Sequence, residues 1–529
     1  LKNLTKTLNL IQDLIYKVMP TFNNYIEANK NFYQNSKKEF KNEVLVFLAS
    51  KDIHMTALTM RFSKAVEEVT NSRLHVVPNI SCSSKVLKMI FSFRPKRVIK
   101  KFFFILKTFF FNIFFILNTV FKLRNGEDIN NIKVHNIEIG KHLYDYLLAK
   151  FFLSSITKID LKMRMMIIVD LVYYLSSIKL ISKLDRPLII LPDNAYRHGM
   201  IFEYVKEKEL DCLAGLSMTE FTIHKYDDKD SYKYHCRTPS KSFINKLEKS
   251  IDHVDKSIQS YLRRISGDGD QHDVIRAFSR RKSNISKEKL IETMGLDPKK
   301  PIVMVAAHIF RDAPHAYPNT IFRDYEIWLS ETCIELSKNP KINFVIKEHP
   351  SSDLYSEEGV IENILNKINC VDKLLPKNLK TSSLYNAIDC LMTCGGTAGM
   401  EFALNGVPVL LAASPPYSGF GFTIDSHNRK EYIKNISSIH HLKSLNQNQM
   451  HTAAILLYVT TEIMQANNLS DVIGSQKVYL GTELDLTNFY KEMIDDCKIG
   501  FGFNSLKQDI SEIIFSDSRN IKTILSQNI

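Results

Sequence analysis

The chain has 529 residues, 44% of them hydrophobic and 24% charged, and its formal net charge is +13. It is too long for one ordinary hydrophobic core, so two domains are expected, and its composition is that of a soluble globular protein. The eight cysteines form no paired CxxC framework, which excludes a zinc site of that type and favours reduced, cytosolic thiols. The positive charge is not evidence for nucleic-acid binding, because an anionic membrane face or anionic substrates fit it equally well.

The first part of the chain has the alternation of a parallel α/β sheet. Residues 1–43 are expected to form a polar, helix-rich lead-in. The apolar run "VLVFLAS", residues 44–50, predicts a strand, a helical pattern follows at about 55–70, and "LHVVP", residues 74–78, predicts the next strand. This order is typical of a βαβ unit, so residues 44–250 are predicted to form an N-terminal Rossmann-like domain.

One segment, "KKFFFILKTFFFNIFFILNTVFKLR" at residues 100–124, departs from the soluble pattern. Its longest uncharged run, Thr108 to Phe121, is shorter than the ~20 apolar residues that cross a bilayer core of about 30 Å. We therefore predict an insert that lies in the membrane interface, with its Lys and Arg side chains at anionic headgroups. A helix buried between domains is the alternative.

Asp193 follows the last predicted strand of this first domain. Helical patterns at about 139–158 and 160–183 precede that strand, which lies in "PLIILPDNAYRHGM", residues 187–200, and ends in a polar loop. Residues 251–290 are rich in Lys, Ser, Asp and Arg, and are predicted to be a linker with a mobile loop.

The alternation resumes with a fully apolar strand in "KPIVMVAAHIFRD", residues 300–312, and further strands are predicted in "NFVIKEHP", "CLMTC" and "PVLLAA". Helices are predicted near 322–338, 355–368 and 382–388, and from about 397. Residues 291–430 are therefore predicted to form a second Rossmann-like domain, and residues 431–529 a mainly helical, polar remainder. Two such domains facing a cleft would bind ligands beyond the carboxyl ends of their strands.

The strongest motif, "CGGTAGMEFALNGVPVLL" at residues 394–411, begins where a predicted strand ends. Glycines let backbone N–H groups approach a ligand closely, and the N-terminus of the following helix favours an anion. The motif predicts a phosphate site that consists of Gly395, Gly396, Thr397, Ala398, Gly399 and Glu401. The alternative is an ordinary turn before a capped helix, and a second polar motif at the end of another strand of the same sheet argues against it.

That second motif is "VIKEHPSSD", residues 345–353. His349 is predicted to bind or protonate a phosphate leaving group, and Lys347 to add positive charge. Pro350 fixes the turn, so that the imidazole is held at the end of the strand. A helix cap or a surface position is the alternative for His349.

The pairing of "KEHP" with "GGTAGMEFALNGVPVL" resembles the GT-B glycosyltransferases that build bacterial surface polysaccharides. Among them it looks most like those that use CMP-activated acidic sugars, including sialyltransferases and Kdo transferases. The resemblance covers residues 300–425 well and the N-terminal half more loosely. It implies a GT-B-like α/β fold, a C-terminal domain that binds the CMP-sugar, and contact of His349 and Thr397 with the CMP phosphate.

In the N-terminal half, "LPDNAYRHG" and "IEIGKHLYDYLLAKF" together are similar to the retaining β-Kdo transferases of capsule and lipopolysaccharide O-antigen synthesis. This likeness implies that Asp193, in the acceptor and catalytic domain, attacks the anomeric carbon and forms a glycosyl-enzyme. A cap on the helix that starts near Tyr196 is the alternative. Glu138, or a histidine of residues 308–315, is expected to deprotonate the acceptor hydroxyl.

The loop "AAHIFRDAPHAYPNT", residues 306–320, brings further ionisable side chains to the same edge of the second domain. His308 and Arg311 are expected to contact the donor, and Arg197 or Arg311 to bind the carboxylate of the sugar. The stretches "YDDKD" and "GDGD" are interpreted as solvated loops, so no metal or other cofactor is expected.

The sequence thus predicts an enzyme, a peripheral-membrane glycosyltransferase that moves an acidic 2-keto sugar, Kdo first, from CMP to a surface glycan or lipid-linked glycan. Its expected partners are the CMP-sugar, the glycan acceptor and the anionic inner face of the plasma membrane, on the cytoplasmic side, with no nucleic acid. The alternatives are a sialyltransferase, a sugar-nucleotide epimerase of the same fold, and a non-catalytic protein that holds a polysaccharide assembly at the membrane.

Overall fold

Two sheets of mainly parallel strands, each covered by helices on both faces, form the framework of the protein. The computed structural model describes residues 20–33, 40, 42–48, 53–79, 82–99, 102–216, 221–227, 238–266, 272–279, 281–463 and 483–515. The predicted class, a GT-B-like α/β protein with two Rossmann-like domains, is confirmed in these features.

The N-terminal domain is built on a six-stranded sheet. The domain has eight described strands, six in this sheet and two in a separate hairpin: β1 (Asn42–Phe47), β2 (Ser72–Val77), β3 (Arg97–Val98), β4 (Lys133–Val134), β5 (Ile137–Glu138), β6 (Leu188–Leu191), β7 (Cys212–Leu216) and β8 (Phe221–Tyr226). Its helices are α1 (20–32), α2 (Ile53–Thr70), α3 (Ser84–Ser92), α4 (Phe102–Lys122), α5 (Gly126–Asn130), α6 (Gly140–Phe151), α7 (Leu161–Ile181) and α8 (Tyr196–Glu207). The sheet order is β3-β2-β1-β6-β7-β8, parallel except for β7 with β8, and β4 and β5 form a separate antiparallel hairpin.

Strand β1 shows why these strands read as continuous apolar runs. Val44 and Val46 pack on one face of the sheet, and Leu45 and Phe47 pack on the other. All four are fully buried, because helices cover both faces of a parallel sheet.

The C-terminal domain contains a five-stranded, wholly parallel sheet in the order β10-β9-β11-β12-β13. These strands are β9 (Ile302–Ala306), β10 (Asn343–Lys347), β11 (Cys390–Thr393), β12 (Val409–Leu411) and β13 (Thr423–Asp425). The helices are α9 (Lys241–Glu248), α10 (Ile251–Ser266), α11 (His272–Phe278), α12 (Lys287–Met294), α13 (Tyr325–Ser337), α14 (Val360–Lys367), α15 (Ala398–Ala403), α16 (Arg429–Ser437) and α17 (Gln447–Tyr458). The helix predicted near 382–388 is instead a 3₁₀ turn at Thr381–Leu384.

Each sheet has one switch point, where the order of the strands reverses direction along the chain. In the N-terminal sheet it lies between β1 and β6, and in the C-terminal sheet between β9 and β11. Ligands of open α/β sheets bind beyond the carboxyl ends of the strands at such points. Asp193 follows β6 and the Gly395–Gly396 turn follows β11, so both predicted sites lie at switch points.

The prediction of a linker at residues 251–290 is wrong. Helices α10, α11 and α12 occupy most of this range, and Tyr261, Phe278 and Leu290 are buried in the core of the C-terminal domain. Charged side chains fill the outer face of α10 and conceal its apolar spacing in a polar composition. The stretch "GDGD" at 267–270 lies outside the described residues.

The segment predicted as a helical remainder, residues 431–529, divides between the two domains. Helices α16 and α17 pack on the C-terminal sheet. Two further helices, α18 (Glu483–Ile499) and α19 (Phe501–Phe515), pack on the N-terminal domain. There Tyr490 stacks on Tyr25 of α1 at 5.3 Å between ring centroids. Helix α1 and helices α18 and α19 therefore share one core.

Helix α4 holds the Phe-rich segment and packs lengthwise on α7. Ile116 and Val120 are buried on the side that packs with α7. Four aromatic side chains of α4 are 68–86% exposed, and we call them the exposed aromatic face: Phe110, Phe111, Phe114 and Phe121. By length and composition, the 19 residues Phe104–Lys122 are sufficient to cross a membrane, and little of this segment is buried. The expectation that this segment is too short to span is therefore not upheld.

Candidate active site

Asp193 lies beyond the carboxyl end of β6, at the switch point of the N-terminal sheet. Its Oδ1 accepts the Ala195 backbone N–H at 3.1 Å, and its Oδ2 is 3.2 Å from Nδ1 of the buried His198. Helix α8 begins at Tyr196 without a side-chain capping bond, so Asp193 closes a local turn and does not cap the helix. Its side chain is 40% exposed, which leaves the carboxylate accessible.

Tyr196 reaches across the cleft from the start of α8. Its φ of +50° lies in the left-handed region, where non-glycine residues are uncommon and often occupy functional sites. The phenol donates to Asp312 Oδ1 at 3.0 Å, in the loop that follows β9. Burial raises the pKa of this phenol, and the carboxylates of Asp312, Asp145 and Asp193 raise it further. Tyr196 therefore stays protonated and links the carboxyl-end edges of the two sheets.

A second set of contacts joins the two domains beside this link. Asp145, a fully buried residue of α6, accepts the His315 backbone N–H at 3.0 Å and is 2.7 Å from His315 Nδ1. Asp324 accepts the hydroxyls of Tyr144 at 2.5 Å and of Ser155 at 2.7 Å. These bonds connect α6 and the segment after it to the loop between β9 and α13. They bring the residues beyond β6 and β9 to one cleft.

The turn after β11 packs between two tyrosines. A Cβ atom at Gly395 would lie 2.6 Å from the Tyr317 ring, and one at Gly399 would lie 2.1 Å from the Tyr417 hydroxyl. These two glycines therefore admit the tyrosine rings, whereas the sequence-based interpretation had them admit a ligand. At Gly396 a Cβ atom would meet nothing closer than 3.7 Å, so there is open space beside this residue, and its carbonyl accepts the Tyr417 hydroxyl at 2.8 Å.

His308 supports this turn. Its Nε2 is 3.0 Å from Thr393 Oγ1 and accepts the backbone N–H groups of Cys394 at 3.2 Å and Gly395 at 3.3 Å. Burial and the nearby His349 lower the pKa of His308 to about 3, so the ring is neutral at physiological pH. A neutral ring whose Nε2 accepts two N–H groups holds the turn in place. We do not assign it the predicted contact with the donor.

His349 is half-buried just beyond β10. Its Nδ1 accepts the Ser351 backbone N–H at 3.2 Å, so the proton of the neutral ring is on Nε2. Strands β10 and β11 both pair in parallel with β9, so His349 and the turn after β11 lie at the same edge of the sheet. An Nε2–H group in this position suits a phosphate oxygen.

Arg264, on α10, is a functional candidate that the sequence pattern did not single out. Its Nη2 donates to Thr397 Oγ1 at 3.3 Å, and its Nε donates to Glu401 Oε1 at 2.8 Å. Glu401 is buried and so balances the guanidinium instead of facing a ligand. The amphipathic spacing of residues 251–266 is the signal that would have predicted helix α10, which carries Arg264 in its last turn.

Helix α15, which follows the turn, is short. It has six residues, and Thr397 at its N-cap makes no side-chain capping bond. Such a helix adds little of the dipole that was expected to attract an anion. Side chains, and not the helix, therefore supply most of the positive charge beside Gly396 and Ala398.

Lys347 ends β10 in a buried position. Its ammonium donates to the Leu379 carbonyl at 3.2 Å. Burial and the neighbouring Lys282 together lower its pKa to about 8. The side chain adds positive potential near the cleft, and the structure shows it bonded to a backbone carbonyl.

The predicted binding residue Arg197 is held in a buried pair. It bonds to Asp170 at 2.6 Å through Nε, and its guanidinium lies 4.3 Å from the centre of the Tyr146 ring. Burial, which Arg197 only partly offsets, raises the pKa of Asp170 to about 7. We therefore do not assign Arg197 to a sugar carboxylate.

Two more predicted residues are similarly engaged. Arg311 is buried and lies 3.4 Å from Glu357, which also accepts the Arg311 backbone N–H at 3.2 Å. Glu138 is exposed in the β4–β5 hairpin, and its bond with Lys133 at 2.7 Å lowers its pKa. A carboxylate stabilised in its charged form is a weak proton acceptor, so Glu138 is a poor candidate for a general base.

The donor atoms at this edge suit an anion. Among the residues that the structure describes, no group of three or more His, Cys, Asp or Glu is arranged to hold a metal ion. His349, Thr397 and Arg264 offer N–H and O–H donors, which match phosphate oxygens.

No protein-family model matches the chain, and no curated protein does. Solved structures of Thermosulfurimonas dismutans KpsC are similar, namely its beta Kdo 2,4 transferase and its beta Kdo 2,7 transferase. The first is 16% identical at a TM-score of 0.29, over 48% of this chain and 74% of that one. The second is 14% identical at 0.28, over 53% and 79%. Anabaena Alr3699/HepE, in complex with UDP and glucose, is 10% identical at 0.27, over 83% and 100%. These TM-scores are all below 0.5, so the likeness assigns no activity to this chain.

Proposed function

We propose that the protein is a retaining glycosyltransferase that transfers an acidic 2-keto sugar, Kdo first, from its CMP derivative to a surface or lipid-linked glycan. One observation carries the proposal. An accessible carboxylate, Asp193, lies at the switch point of one sheet, and the N–H and O–H donors of His349, Thr397 and Arg264 lie at the carboxyl-end edge of the other. Tyr196 and Asp312 connect the two edges. The choice of CMP and Kdo rests on the sequence resemblance of "KEHP" and "GGTAGMEFALNGVPVL".

The donor phosphate is bound on the C-terminal side. His349 Nε2–H, the Thr397 hydroxyl and the Arg264 guanidinium would donate to its oxygens and stabilise the negative charge that develops as CMP leaves. The group that leaves a CMP-sugar is CMP, a monophosphate ester, which carries less negative charge than a nucleoside diphosphate. Three protein donors therefore serve without a divalent cation.

The sugar transfer begins at Asp193. A carboxylate oxygen attacks the anomeric carbon as the bond from that carbon to the phosphate oxygen breaks, and the electron pair leaves with CMP. His198 and the Ala195 N–H hold the carboxylate in place. A second displacement by the acceptor hydroxyl then restores the original anomeric configuration.

The nucleotide choice is tested by thermal unfolding in the presence of CMP, CDP or UDP. A ligand at 100 times its Kd stabilises the folded protein by about 2.7 kcal/mol. We expect CMP to raise the Tm, and His349→Ala to abolish that rise because the phosphate loses its Nε2–H donor. His441→Ala is the matched control, since His441 is exposed and packs on His440, which is 3.3 Å from Lys341 near the start of β10, at the opposite end of the sheet. Protection by UDP or CDP in preference to CMP would overturn the assignment.

We also propose that the exposed aromatic face binds an anionic membrane surface on the cytoplasmic side. Lys107 and Lys179 lie 5.8 Å and 5.4 Å from the centre of the Phe111 ring, so cations border the apolar surface. One side of α4 is already occupied by α7, which favours a helix that lies in the interface over one that crosses the bilayer.

Changing the exposed aromatic face to serine should release the protein from phosphatidylglycerol vesicles with little loss of stability. The four side chains contribute little to the folded core because they are mostly exposed. Ile116→Ala is the contrasting variant, because truncating a buried isoleucine costs about 2–5 kcal/mol. Co-sedimentation and Tm are the measurements. Unchanged vesicle binding, or unfolding of the serine variant, would contradict the proposal.

A further inference from the structure

We propose that His315, held by Asp145, is the general base that removes the proton from the acceptor hydroxyl. This inference rests on the retaining transfer proposed above and assigns the proton acceptor of its second step. Asp145 acts through His315 and is a positioning residue.

The geometry sets the tautomer of His315. Both carboxylate oxygens of Asp145 are engaged, Oδ2 by the His315 backbone N–H at 3.0 Å and Oδ1 by the ring Nδ1 at 2.7 Å. The Nδ1 therefore carries the hydrogen, and the lone pair of the neutral ring is on Nε2. Within the described part of the chain, Nε2 has no hydrogen-bond partner, and this atom is not fully buried. A buried carboxylate on Nδ1 also stabilises the imidazolium that forms when Nε2 takes a proton.

The position of His315 fits the stereochemistry of a double displacement. Asp193 attacks from the N-terminal domain, so CMP leaves on the opposite face of the sugar, towards the C-terminal domain. The acceptor must enter from the face that CMP has vacated. His315 belongs to the C-terminal loop after β9, three residues beyond Asp312, which bonds to Tyr196 beside the nucleophile.

The proposed step balances as follows. The acceptor oxygen forms a bond to the anomeric carbon while its proton passes to His315 Nε2. The bond between the anomeric carbon and the Asp193 oxygen breaks, and its electron pair returns to the carboxylate. The imidazolium then loses its proton to water, which restores the neutral ring.

Release of CMP from CMP-Kdo with water as the acceptor tests this step without knowledge of the glycan. His315→Gln should give a burst of one CMP per protein, with the sugar on the Asp193 peptide, and then a steady rate lower by about 10²–10⁴-fold. Azide should restore steady release in this variant, because an anion needs no general base. Asp145→Asn, which keeps the size of the buried side chain, should show the same burst and the same rescue with a smaller loss.

Ser155→Ala is the matched control, since it removes another bond between the domains without touching the His315–Asp145 pair. It should show neither the burst nor a response to azide. An unchanged steady rate in His315→Gln, or loss of the burst in both His315→Gln and Asp145→Asn, would overturn the assignment. The burst and azide rescue appearing in Asp312→Asn instead would assign the base to Asp312. A wild-type protein that releases no CMP would overturn the proposed function as well.

Discussion

Replacing Asp193 with asparagine should give a folded protein that binds CMP and transfers no sugar. Asparagine keeps the size of the side chain and its Oδ1 still accepts the Ala195 N–H, but it has no carboxylate to attack the anomeric carbon. Loss of a covalent nucleophile lowers turnover by on the order of 10⁴-fold or more. Steady CMP release from CMP-Kdo measures this loss, and thermal protection by CMP shows that donor binding survives.

Asp185→Asn is the matched control for this variant. Asp185 is exposed and precedes the same strand, β6, at the opposite end. It should retain wild-type turnover, since it lies away from the switch point. Substantial transfer by Asp193→Asn, or a product of inverted anomeric configuration, would contradict the double displacement.

Replacing Arg264 with methionine should lower both stability and affinity for CMP. The guanidinium pairs with Glu401, and the two side chains are 13% and 5% exposed. Removing one partner of a buried ion pair leaves an uncompensated charge and costs about 3–5 kcal/mol. The donor to Thr397 and to the phosphate is lost in the same change. Denaturant unfolding and CMP titration measure the two effects separately.

The double variant Arg264→Met with Glu401→Gln distinguishes a structural role from a binding role. Removing both charges should recover most of the stability, because no buried carboxylate is left unpaired. Affinity for CMP should stay low, because the guanidinium is still absent. Recovery of full CMP affinity in the double variant would show that Arg264 acts only through the fold.

Seven strands of the two sheets were predictable because parallel strands are buried on both faces and read as short apolar runs, whereas β3, β7, β8 and β13 were not predicted. Asp193, His349 and Thr397 were predictable for a related reason, since each follows such a run at the edge where ligands bind. Residues 251–266 were misjudged, because the charged outer face of α10 dominates the composition. Because that helix was not predicted, Arg264 was not recognised as a candidate site residue.

Other parts of the site depend on contacts between distant residues. Gly399 faces Tyr417, and Arg197 pairs with Asp170, 27 positions away. The bond between Asp145 and His315 joins positions 170 residues apart in two domains. No local pattern encodes such pairs. The sequence therefore suggested a histidine of 308–315 as one candidate for the base but did not single out His315.

The central claim is that Asp193 accepts the sugar from a CMP donor, and the mass of the wild-type protein after exposure to CMP-Kdo alone tests it most directly. The account predicts the added mass of one Kdo residue on the peptide that contains Asp193 in protein quenched during turnover, while CMP is released continuously with water as the acceptor. Asp193→Asn under the same conditions should show neither. Modification of a different peptide, or release of UDP from UDP-glucose with no CMP from CMP-Kdo, would contradict the account.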